Sequence, residues 1–324
     1  MRTAARIDYH RSHCRHGMRL RFALAAMVAA ILLLPTSGFA EISSPVPPTL
    51  EEAKKSEVTT QRLRDNFNVM FGSGGNIGVL STPTGTLLVD AGIAVSKEKI
   101  STALDALGGG PVKYVVNTHY HWDHTDGNAW MHDRGAVIVA HRNTLHWLSN
   151  TTRVIDWGYT FPPMRGGGLP TDIVEREKQL EFDGEPVLIR NFGSGHTDGD
   201  LVVYFRQADV LMSGDIWWNG LYPFIDYGAG GGIDGLIASI DGCLDMITEQ
   251  TIIVPGHGPV GTRAQLVAFR EMLFKSRERV SKLKKMGLTL PEIVARKPTS
   301  EFDRTYGNFW IDPSFFIMLV YKGV

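Results

Sequence analysis

The chain has 324 residues, 43% of them apolar, and a formal net charge of −1. That is room for a sizeable core, and it excludes a disordered or strongly basic protein. Of its two cysteines, Cys14 and Cys243, the first lies ahead of an apolar run that reads as a removable leader.

In that leader Arg19 and Arg21 precede the apolar run Phe22–Leu34, and Gly38-Phe39-Ala40 supplies the small residues of a cleavage site. The order predicts a signal peptide over residues 1–40, with Met18 as the alternative start, and a mature N-terminus at Glu41. The run falls short of the ~20 residues a membrane span needs, so no stable anchor is expected after cleavage, and a periplasmic or secreted location follows. Removing six arginines and one aspartate from 33 basic and 34 acidic residues leaves 27 against 33, a net of −6. An acidic mature chain argues against a nucleic-acid partner. Cys243 then has no internal disulfide partner.

Residues 41–64 read as an N-terminal lead-in and 65–286 as the main domain. Asn76–Leu80 and Thr86–Val89 are predicted strands joined at Pro83-Thr84-Gly85. Lys97–Leu107 has helical spacing, and Val112–Val116, Val137–Ala140, Val187–Ile189, Leu201–Phe205, Val210–Met212 and Ile252–Val254 are further strands. Helices are expected at Gly232–Met246 and Arg263–Lys285. Strands interleaved with helices make an α/β layered domain. Gly228–Gly232 reads as a flexible loop at a site mouth, Lys275–Lys285 as a solvated helix face, and 287–324 as a helical extension packed on the domain, its Pro291–Val324 stretch a helix pair.

The informative segment is Thr118-His119-Tyr120-His121-Trp122-Asp123-His124. Three imidazoles and a carboxylate just after a strand are costly to keep together without a metal. In an extended turn His119 and His121 point the same way and serve one ion, leaving Asp123 and His124 for a neighbouring one. Further donors stand at other strand ends beside glycines: His196 after Gly195, Asp215 after Gly214, and His257 after Gly256. His132, His141 and His146 read as surface or packing residues.

His119-x-His121-x-Asp123-His124, Gly195-His196-Thr197, Gly214-Asp215 and Pro255-Gly256-His257-Gly258 together resemble, in order, the ligand motifs of the metallo-β-lactamase superfamily, over roughly residues 65–260. The resemblance implies a four-layer αββα sandwich with the site along one edge of its paired sheets. It implies one zinc on His119, His121 and His196, a second on Asp123, His124 and His257, and Asp215 as a bridge. The His121 position is Glu in the diiron oxygen-reducing branch. The Asp215 position is usually Cys or Ser in true β-lactamases, and an aspartate there resembles the thioester, lactone and phosphodiester hydrolases.

Two zinc ions lower the pKa of a shared water toward ~7, and the expected reaction is hydroxide attack on the carbonyl of a small-molecule ester, thioester, lactone or cyclic amide. Asp123 is the expected catalytic residue, orienting the nucleophile. Thr118, Asp198 and Asp200 are candidate partners of the imidazoles, with Asp198 expected to brace the turn after His196. Trp122, Trp217 and Trp218 are the candidate substrate pocket, Tyr120 flanks the ligands, and Trp217–Tyr227 reads as a loop over the site. A β-lactamase and a mononuclear-iron oxidoreductase of the sulfur dioxygenase type are the alternatives, the latter with iron in place of zinc.

Overall fold

A computed structural model describes residues 44–324; the predicted signal peptide lies outside the described residues. The strands are β1 (Thr59–Arg62), β2 (Phe67–Phe71), β3 (Ile77–Thr82), β4 (Gly85–Val89), β5 (Val112–Val116), β6 (Val137–His141), β7 (Thr152–Val154), β8 (Tyr159–Phe161), β9 (Asp172–Val174), β10 (Glu177–Phe182), β11 (Glu185–Arg190), β12 (Val202–Phe205), β13 (Val210–Trp218) and β14 (Ile252–His257). The helices are α1 (Val46–Lys55), α2 (Lys97–Ala106), α3 (Trp122–Thr125), α4 (Asn128–Asp133), α5 (Arg142–Ser149), α6 (Ile233–Met246), α7 (Arg263–Lys285), α8 (Leu290–Ala295), α9 (Ser300–Tyr306) and α10 (Pro313–Lys322).

Seven strands form one sheet in the order β1-β2-β3-β4-β5-β6-β9, five form a second in the order β10-β11-β12-β13-β14, and β7-β8 is a separate ribbon. Alternation along the strands sets the layers. In β4, Leu87 and Val89 join the apolar layer between the sheets, while Leu88 points outward against Ile100 of α2 and Met131 of α4. In β13, Val210 and Met212 face the other sheet, while Leu211 packs toward Leu236 of α6 and Leu273 of α7. Phe67 and Phe205 meet edge-on across the layer at 4.6 Å. The result is the expected helix–sheet–sheet–helix sandwich. The pairings β4–β5 and β13–β14 are parallel, so the C-terminal ends of these strands come out on one edge. In parallel sheets such ends are where ligands bind.

The described part of the lead-in, residues 44–64, holds a helix and a strand. Pro at the first turn starts α1, and β1 pairs antiparallel with β2 to extend the first sheet. Lys99 Nζ donates to the carbonyls of Ala53 (3.2 Å), Lys54 (2.8 Å) and Ser56 (2.6 Å) at the end of α1. One ammonium thus satisfies the carbonyls that a helix end leaves unpaired.

The C-terminal extension holds three helices, α8, α9 and α10, where a pair was expected. Phe316 stacks on Tyr222 with centroids 4.2 Å apart, and Ile317, Leu319 and Val320 are buried with it. Each fully buried side chain of this size contributes roughly 1.5–3 kcal/mol, so the extension is part of the core. The basic stretch of α7 is not simply solvated. Arg277 pairs with Asp234 of α6 at 2.5 Å, and Arg279 with Glu301 of α9 at 2.9 Å.

Candidate metal centre

The seven donors arrive from four separate stretches of chain. His119 and His121 lie between β5 and α3, Asp123 and His124 lie in α3, Asp215 lies in β13, His257 ends β14, and His196 lies in the turn before β12. Gly214, at φ +52°, bends β13 just before Asp215, and a Cβ there would stand 2.6 Å from Thr118 Cβ. Gly256 lies so close to Asp215 Oδ1 that any side chain would collide with it. The glycines beside these two donors therefore permit close approach as well as turning.

The donor atoms fall into two groups, His119–His121–His196–Asp215 and Asp123–His124–His257, with all ligand atoms of a group within 4.8 Å of one another. In the first, His121 Nδ1 stands 3.0 Å from His119 Nε2 and 2.9 Å from His196 Nε2. In the second, His257 Nε2 is 3.2 Å from Asp123 Oδ2 and 3.4 Å from His124 Nε2. Asp215 lies between them. Its Oδ2 faces His119 at 3.7 Å and His196 at 3.5 Å, and its Oδ1 faces His124 at 3.2 Å and His257 at 3.5 Å.

The ring nitrogens turned away from the cluster are held. Thr118 Oγ1 is 3.0 Å from His119 Nδ1, Asp226 Oδ2 is 3.1 Å from His121 Nε2, Asp90 Oδ2 is 2.8 Å from His124 Nδ1, and the Phe224 carbonyl is 2.8 Å from His196 Nδ1. Such partners orient a metal-binding imidazole and raise its basicity. Asp90 also accepts the Thr118 backbone N–H at 2.7 Å and its hydroxyl at 2.8 Å. Tyr120 donates to Asp226 at 2.5 Å.

Burial opposes charging of His124 and His257, yet the carboxylates of Asp215 and Asp123 prevail. His124 is held well above the ordinary imidazole range, and His257 is pushed up to about 9. His119 goes the other way, its charge disfavoured first by burial and then by the charged His124. The pocket therefore attracts cations and keeps protons where it has no better ones. Asp215 Oδ1 is buried without a well-aligned hydrogen bond. An orphaned carboxylate oxygen among imidazoles in two tight groups is a donor set that fits two divalent ions of the zinc type.

The metallo-beta-lactamase superfamily model matches residues 70–257. This chain belongs to that superfamily. A probable metallo-hydrolase of Bacillus subtilis (strain 168) is 27% identical over 155 residues, 45% of this chain and 68% of the relative. A hydroxyacylglutathione hydrolase of Rhodospirillum rubrum is 25% identical over 162 residues, 49% of this chain and 53% of the relative, so the chain spans about half of it. The solved structure of the DIM-1 metallo-beta-lactamase shares the fold, with a TM-score of 0.55 and 21% identity over 67% of this chain and 97% of that one. Family, relatives and donor cluster make this member a metallohydrolase with a His/Asp metal-binding site.

In this superfamily member several expected neighbours of the site lie elsewhere. Trp217 is fully buried against Gly261 and does not reach the cavity. Trp218 does reach it, its ring 4.4 Å from that of His257, and Trp122 lines it as well. Beyond Trp218 the chain is not an open loop, since Tyr222, Phe224 and Ile225 are buried under the C-terminal helices. Gly231 packs against the His196 carbonyl and Gly230 against Asp198, so the glycine stretch supports the His196 turn from beneath. Asp200, rather than Asp198, braces that turn, accepting the N–H of His196 at 2.6 Å and of Thr197 at 3.0 Å. Asp198 instead accepts the Trp147 indole N–H at 2.9 Å. His132 and His146 are exposed, and His141 caps α5.

Asp90 and Asp226 went unnoticed in the sequence. Asp90 follows β4 and precedes Gly92, the same strand-end signal that marked Asp215. Asp226 carries no such signal.

Proposed function

We propose that this superfamily member is a dinuclear zinc hydrolase that opens an acyl–oxygen or acyl–sulfur bond of a small-molecule lactone, ester or thioester. The observation that carries this reading is Asp215, whose two carboxylate oxygens each face a separate donor group. His119, His121 and His196 would hold one zinc, Asp123, His124 and His257 the other, with Asp215 shared. Zinc there supplies a Lewis acid and a water whose pKa falls toward ~7.

The chain's own residues do the rest. Asp123 and His257 form the cavity floor, and Asp123 would orient the attacking water. Thr118, Asp90, Asp226 and the Phe224 carbonyl hold four imidazole rings in one orientation. The aromatic walls exclude bulk water from the reacting carbonyl.

A shared carboxylate lowers the net positive charge available to a departing amide nitrogen, while alkoxides and thiolates leave with less help. The metal-loaded protein should therefore turn over a lactone or thioester with higher kcat/KM than a cephalosporin. A cephalosporin better by more than about tenfold, roughly 1.4 kcal/mol, replaces this reading with a β-lactamase. Elemental analysis should give two zinc per chain, and one iron per chain would favour the oxidoreductase.

The reading extends to export, motivated by Arg19–Ala40. N-terminal sequencing of periplasmic protein should begin at Glu41, and uncleaved protein in the cytoplasm would contradict it.

A further inference from the structure

Only part of the centre opens to solvent. His119, His121 and His196 are buried to 1% exposure or less, whereas Asp123, Asp215 and His257 floor a cavity of about 200 Å³. Its walls are Trp122, Trp157, Trp218, Phe309 and Trp310, with the face of α1 that carries Thr49 and Ala53 along one side. Two of these five aromatics come from the C-terminal extension, beyond the matched residues 70–257. Trp310 is fixed by Trp157 at 6.0 Å and Phe315 at 5.3 Å. Phe309 is 52% exposed and meets Trp218 edge-on at 6.3 Å. Phe309 thus presents an apolar, aromatic face at the rim of the cavity.

Among the described residues lining this cavity there is no lysine or arginine, and the charged groups other than His257 are the carboxylates of Glu52, Asp123 and Asp215. At the aromatic wall, away from the metal-binding floor, a carboxylate or phosphate carried by the acyl group would have no side-chain cation to pair with as it leaves water, which is costly. The volume suits one ring, since a cavity near 150 Å³ already admits benzene.

Resting on the hydrolase reading above, we infer that the substrate is a small uncharged acyl compound carrying one aromatic or compact apolar group, and that Phe309 is a specificity-determining residue. The ring packs against Trp218 and Phe309 where they line the cavity, while the carbonyl reaches the floor at Asp123 and His257. Anionic acyl groups are disfavoured.

The test uses two 4-nitrophenyl esters with a common leaving group, the phenylacetate and the hydrogen glutarate, on the zinc-loaded full chain. We expect the phenylacetate to be favoured at least tenfold in kcat/KM. Phe309→Ala should cut that ratio at least fivefold through KM, and Phe309→Lys should swing it toward the glutarate. Phe274→Ala, a comparably exposed phenylalanine on α7, should leave the ratio alone. Calorimetric titration with 2-phenylacetamide gives a readout independent of turnover, and its affinity should fall in Phe309→Ala. Equal or better use of the glutarate, or a ratio unmoved by both Phe309 variants, overturns the inference. If neither ester is hydrolysed while the amide binds and loses affinity in Phe309→Ala, the pocket assignment stands and the hydrolase reading fails.

Discussion

Asp215→Ala should lose about half of the bound metal and lower kcat/KM by about 10²–10³, the equivalent of the several kcal/mol that metal-ion catalysis supplies. The carboxylate lies 3.2–3.7 Å from four imidazole nitrogens drawn from both donor groups, so its removal weakens both groups at once. It also leaves His119, His124 and His257 facing one another with their shared counter-charge gone. Burial would push the Asp215 carboxyl up, but those imidazoles hold it well below the usual carboxylate range, so it is the anion that the surroundings demand. Asp215→Asn keeps the volume and one oxygen while discarding the charge. It should fold like the parent and still lose metal. Metal analysis beside kcat/KM checks this, and full metal content with activity within threefold in both variants would remove Asp215 from the centre.

Asp90→Ala should be the most destabilising single change outside the donor set. Asp90 ties the end of β4 to the end of β5 through two bonds to Thr118 and a third to His124. Removing one partner of a buried, hydrogen-bonded charge network costs about 3–5 kcal/mol, and loss of a ligand's outer partner costs 10–100-fold in metal affinity. Asp90 also has φ +67°, a conformation that asparagine adopts far more readily than alanine. Asp90→Asn should therefore recover most of the thermal stability yet keep the weakened metal binding. Denaturation midpoints and a chelator-competition titration on both variants check the two halves separately. Equal destabilisation by Asn and Ala would mean that the charge, and not the backbone, sets the stability.

The donor set was legible because its signal is chemical and local: imidazoles and carboxylates beside glycines at the ends of apolar runs. Helix α7 was legible end to end because Thr262 and Gln265 form a capping box at its start and lysines crowd its last turn. Strand β13 was cut short at Met212 because Ser213-Gly214-Asp215 reads as a turn. Parallel pairing with β14 carries it on to Trp218, with irregular register at Gly214. Which of Trp217 and Trp218 lines the cavity depends on that irregular register, and no local pattern reveals it. The Asp226–Tyr120–His121 contacts join residues more than a hundred positions apart, and sequence spacing holds no trace of them. Helix α1 does carry Val46, Leu50 and Ala53 at helical spacing, but the prolines Pro45, Pro47 and Pro48 mask it as irregular chain; β1 has no apolar pattern, is exposed throughout and exists by pairing with β2.

The cavity walls have a consequence for biosynthesis. The floor is complete once His257 has been made, but one side is set by residues near position 50 and another by Phe309 and Trp310. Segments near residues 50 and 310 must meet across the sandwich before the chamber has its shape. Contacts of such long sequence separation form late and slowly. A nascent chain could therefore capture ions before it can discriminate between substrates, so the chemical centre and its selectivity would mature as separate events.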